Sequence, residues 1–139
     1  MVDFGSALAR SRSLSGYDAS IETPEALLLA DALAERLGAV APDGARVWSD
    51  RCVVGVRTSG GGMSWTDVAL ELAQGLTPGT VARSALEHLQ VEFSELTALP
   101  WPAASSGFPA PGTRETDDHI ELWYGPADAP VLTFLPIAL

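Results

Sequence analysis

Between Thr77 and Leu96 the apolar residues Val81, Ala82, Ala85, Leu86, Leu89, Phe93 and Leu96 recur at steps of mostly three and four. A helix with 3.6 residues per turn puts such a series on one side, so this stretch is an amphipathic helix with one face committed to a core. Thr77 or Thr80 supplies the cap, and Glu87, Glu92 and Glu95 fall on or near the outer side. Leu99-Pro100-Trp101-Pro102 ends it, because proline disfavours the helical state of the residue before it.

A second helix is expected upstream. Thr23 is a good N-cap, Pro24 suits the first helical position, and Gly38 suits the exit. The apolar stripe read from the spacing of Leu27, Leu28, Ala30, Asp31, Leu33, Ala34 and Leu37 runs along one side, with Asp31, Glu35 and Arg36 off it or at its edge. Strands lie between and after the helices. Arg46–Trp48 and Cys52–Arg57 read as a hairpin around Ser49-Asp50-Arg51, with Cys52, Val54 and Val56 on one face. Ser59-Gly60-Gly61-Gly62 is a turn, and Trp65–Leu72 fits a strand or a helix, with a third strand favoured. Ala103–Thr113 reads as a loop, followed by closing strands at His119–Tyr124 and Val131–Ile137.

The expected fold is therefore α+β. It has an antiparallel sheet of about five strands with two main helices packed on one face, in the order α-β-β-β-α-β-β. Residues 1–20 read as an N-terminal arm and residues 21–139 as a single α+β domain. The order resembles the α-β-β-β-α-β-β core of type III secretion chaperones; the likeness is one of element order, with no shared motif.

Charge narrows the class of partner. The net charge is −10, from 18 acidic residues against 8 arginines and no lysine. Up to Arg57 there are 8 acids and 6 arginines; from Thr58 onward there are 10 acids and only Arg83 and Arg114. Such a field repels phosphate backbones and anionic lipid surfaces, so neither nucleic acid nor membrane is expected as a partner. The apolar runs at Ala26–Ala30 and Val131–Leu135 are too short to cross a bilayer, and Arg10 and Arg12 sit on the wrong side for a secretory leader. The expected location is cytoplasmic.

Residues that carry chemistry are few. Cys52 is the single cysteine and precedes Val53-Val54, where a thiol acts as a small core hydrophobe. Asp117, His119 and Glu121 alternate on one strand face, but three ligands without a fourth are a weak metal signal, and no metal or cofactor is expected. Ser59-Gly60-Gly61-Gly62-Met63-Ser64 has neither the spacing of a nucleophile elbow nor the Gly-Lys-Ser/Thr of a phosphate loop.

Aromatic placement says more. Ile120, Leu122 and Tyr124 point one way and Trp123 the other, while Leu132 and Phe134 make the last strand apolar on both sides. A strand apolar on both sides is covered on both sides, so Trp123, Phe134, Leu132 and Trp101 are the expected interface residues. The leading expectation is a small acidic, non-enzymatic protein-binding or adaptor domain, chaperone-like and homodimeric. One alternative is a small enzyme or small-molecule binder whose pocket between sheet and helices is lined by Trp48, Trp65, Cys52 and His119. Another is an acidic inhibitor or decoy of a basic protein.

Overall fold

The computed structural model describes residues 21–104 and 107–139, so the expected arm at 1–20 lies outside the described residues. The described chain holds helices α1 (Pro24–Gly38), α2 (Val68–Ala73) and α3 (Pro78–Thr97). Strands β1 (Ala45–Asp50), β2 (Val53–Thr58) and β3 (Met63–Asp67) pair in that order as one antiparallel sheet. Strands β4 (Pro111–Glu115), β5 (His119–Tyr124), β6 (Leu132–Thr133) and β7 (Ile137–Ala138) form a second, with both β6 and β7 on β5.

The α+β class stands; the strands divide into two sheets rather than one. The reason lies in α3. Ser64 and Thr66 of β3 bond to Glu92 and His88, while Thr113 and Glu115 of β4 bond to Gly79, so both strands meet the helix rather than each other. The helix starts as expected at Thr77, whose hydroxyl accepts from the Thr80 amide at 3.2 Å, and Pro78 follows it. Its whole apolar series is buried except Leu96, which is half-buried. Glu92 departs from expectation: it is 9% exposed, held at 2.9 Å by the Ser64 hydroxyl, in space that exists because Gly62 has no side chain.

Helix α1 buries a different stripe from the one read from spacing. Ala26, Leu29, Ala30, Leu33 and Leu37 face the core, and Leu27 and Leu28 face outward, Leu28 at 69% exposure. A run of consecutive leucines satisfies several registers of the helical period, and the core selects one of them.

The β1–β2 hairpin closes through two residues, Arg51 and Cys52, both with positive φ. That is a tight turn of the kind usually built from Asn and Gly, and neither is present to signal it. The ambiguous stretch divides: β3 ends at Asp67, whose carboxylate accepts from the Leu70 amide at 3.0 Å and starts α2. Strand β4 occupies residues expected to be loop. Pro111 and Gly112 disguise it, since both are poor strand formers.

The last expected strand is broken in two at Phe134–Pro136. Pro136 has no N–H to give a ladder. Arg36 of α1 donates to the carbonyls of Leu135 (2.9 Å) and Pro136 (2.7 Å) in place of a neighbouring strand.

Candidate functional site

Register decides what each sheet shows to its outer side. In the second sheet Gly112, Trp123 and Thr133 lie directly opposite one another, as do Arg114 and Glu121. Ile120, Leu122 and Tyr124 are buried, so this row and pair occupy the outer face, as expected for Trp123. The indole rests on Gly112, where an added Cβ would fall 2.5 Å from Trp123 Cε2.

The other three interface residues turn inward. Leu132 stands opposite Tyr124, on the core face, and Phe134 is only 7% exposed with its ring 5.9 Å from Tyr124. Trp101 is half-buried, edge-on to Phe93 at 4.7 Å and to Tyr124 at 5.3 Å. The expectation that Leu132 and Phe134 share the open face with Trp123 is thus reversed by the pairing register. What remains at Trp123 is a groove of about 320 Å³. Thr133 lines it from the sheet, Ala127 and Pro130 from the β5–β6 turn, and Phe134 and Pro136 from the broken strand. The ion pair of Arg114 with Glu121 Oε1, at 2.6 and 2.9 Å, also lines the groove.

Further along β5, His119 sits between two carboxylates: Nδ1 is 2.7 Å from Asp118 Oδ1 and Nε2 is 3.3 Å from Glu121 Oε2. Hydrogen bonds to Asp118 and then Glu121 raise the imidazole pKa above its ordinary 6.5. Asp118 is lowered mainly by that bond to His119, and Glu121 mainly by Arg114 and then His119. Asp117 is not part of the cluster's bonding, and among the described residues no group of three His, Cys, Asp or Glu side chains is placed to hold a metal.

A raised imidazole stabilises the fold below 6.5 and loses that contribution as pH rises through the folded value. The two depressed carboxyls contribute above their ordinary 3.8 and 4.5 and lose it as pH falls through the folded values. The trio therefore contributes most between 4.5 and 6.5. An NMR titration of His119 should give a midpoint above 6.5, and Asp118→Asn should bring it back toward that value. A wild-type midpoint at or below 6.5 would contradict this.

The residues expected to line an internal pocket are not brought together. Cys52 is buried in the tight turn, where burial and then Glu22 push its thiol pKa up against the pull of the Thr23 amide. Trp48 and Trp65 stand on the outer face of the first sheet, either side of Gly55, and His119 is on the other sheet. His88 is exposed on α3, its Nδ1 2.7 Å from the Thr66 hydroxyl. A second depression of about 310 Å³ is lined by Thr58, Gly60, Gly62, Glu92, Glu95 and Leu96. Sequence reasoning missed the polar residues that hold the site's frame. Gln90 donates to the carbonyls of Trp101 (3.1 Å) and Pro109 (2.7 Å), and Ser94 accepts from the Trp101 amide at 3.0 Å. Their signal was present: Gln90 and Ser94 fall on the buried side of an otherwise apolar stripe.

These features define a two-sheet α+β domain with a tryptophan-lined groove on an outer sheet face. Comparison with protein-family models, curated proteins and solved structures finds no match.

Proposed function

We infer that this chain is a small acidic protein-binding domain of the adaptor type, and that the groove beside Trp123 receives an apolar side chain of a partner protein. The observation that carries the reading is the chemistry of the groove: its lining is mostly apolar, with the Trp123 indole, Leu122, Phe134, Ala127 and two prolines, and the Arg114–Glu121 pair is among it. Apolar lining with a few placed polar groups is what fixes a bound segment in one orientation, and tryptophan is enriched where interface energy concentrates. The proline rings lose little entropy on binding, because they are already rigid.

The test is affinity capture from the native cell followed by footprinting of Trp123 in the captured complex. The dominant partner should protect Trp123 from oxidation. Trp123→Ala should weaken capture by tenfold or more, about 1.4 kcal/mol or above for a central aromatic contact, while thermal melting shows the fold intact. A partner retained equally by the variant, or a complex in which Trp123 oxidises as fast as in the free protein, would rule the groove out.

A further inference from the structure

The outer face of the first sheet is a different surface, and it is ordered in three cross-strand rows. Asp50, Val53 and Asp67 form the row at one end, Trp48, Gly55 and Trp65 the middle row, and Arg46, Arg57 and Met63 the row at the other end. Val54, Val56, Ser64 and Thr66 point the opposite way, into the core or toward α3, so among the described residues the helices lie behind this face and none covers it. Trp65 is 54% exposed and Met63 43%, an unusual amount of large apolar surface for one short strand.

Two charges on this face need explaining. Arg46 and Arg57 are directly opposite each other, and among the described residues neither side chain has a hydrogen bond or an ion pair. Like charges directly opposite destabilise a sheet. Yet this chain has 18 acidic residues against 8 arginines, so unneutralised arginines side by side are not forced by a shortage of acids. The pair is suited to meeting acidic groups from outside.

We propose that this face binds a second copy of the same chain about a two-fold axis running along the Trp48–Gly55–Trp65 row. A rotation about that axis reverses the two ends of the face. Arg46 of one copy then lies over Asp50 of the other, Met63 lies by Asp67, and Trp48 and Trp65 lie over their own counterparts. Arg57 lies over Val53, between the Asp50 and Asp67 of the other copy, so the arginine row meets the acidic row; the face is self-complementary in charge, as an isologous two-fold interface requires. With the opposite choice of axis, along the strands, arginine would face arginine. Self-association here and partner binding at Trp123 use different sheets, so either can fail without the other.

Sedimentation equilibrium over a concentration series tests it. The wild-type mass should rise toward twice the 14.5 kDa of one chain. Association should weaken severalfold on going from low to high salt, since the paired charges are screened. Arg46→Asp alone and Asp50→Arg alone should each weaken self-association by roughly tenfold or more, because each puts like charges opposite one another. A one-to-one mixture of the two variants should recover wild-type affinity, since every 46–50 contact in the mixed dimer again joins opposite charges. A wild-type chain that stays monomeric throughout overturns the proposal. So do single variants that associate like wild type, or a mixture no tighter than its components.

Discussion

Phe93→Ala should lower the stability of the fold by about 3–5 kcal/mol in urea unfolding, the range for emptying a large buried aromatic site. Phe93 is fully buried in α3 and begins a chain of edge-on rings that runs through Trp101 and Tyr124 to Phe134. Successive centroids are 4.7, 5.3 and 5.9 Å apart. Such pairs add about 0.5–1.5 kcal/mol each beyond the area they bury. The chain joins the helix, the loop after it and the Tyr124 end of the second sheet, so the loss is not confined to one cavity. Net stability of a domain this size is typically about 5–15 kcal/mol, so the variant should sit near the edge of folding. Phe93→Leu, which keeps most of the volume, should cost much less. A loss below about 1.5 kcal/mol for the alanine variant would show that the site collapses freely.

The second large effect is a matter of sign. Valine is a better strand former than glycine, so Gly55→Val at a position on an outer sheet face should stabilise on propensity alone. Here it should destabilise by about 1–3 kcal/mol, the usual cost of overpacking. A Cβ at Gly55 would lie 2.4 Å from Trp48 Cζ2 and 2.8 Å from the Ser64 carbonyl. Displacing the indole removes its cover from the strand. In a Trp48→Ala background the same change should cost less, though not nothing, because the Ser64 contact remains. A double-mutant cycle in chemical denaturation measures the coupling. Stabilisation by Gly55→Val in the wild-type background would refute this account of the row.

Both sheets thus seat a tryptophan on a glycine of the neighbouring strand, Trp48 on Gly55 and Trp123 on Gly112. This explains a good part of what the sequence hid. Gly112 is where β4 needs it, yet next to Pro111 it reads as loop, because the indole that makes it useful is eleven residues away. Long-period elements were legible: α3 emerged from its stripe and caps, and the alternation of β5 placed Trp123 correctly. The faces of Leu132 and Phe134 were not. Alternation carries orientation only along an unbroken strand, and a break or slip of one residue inverts everything beyond it. The break at Phe134–Pro136 depends on Arg36, about a hundred positions earlier, which no local pattern reveals. Of the candidate groove, Trp123 was in view on its correct face and Phe134 only by name, not by orientation; Ala127, Pro130 and Pro136, which complete it, were not.

That arginine also bears on the order of folding. Its bonds to Leu135 and Pro136 span 99 and 100 positions, tying the first described helix to the broken strand of the second sheet. Contacts of such long separation form late, because the loop they close must be ordered first. Until that stretch docks, Ile137 does not cover the His119–Ile120 end of β5 and Phe134 does not meet Tyr124, so the sheet edge and the aromatic chain are completed together.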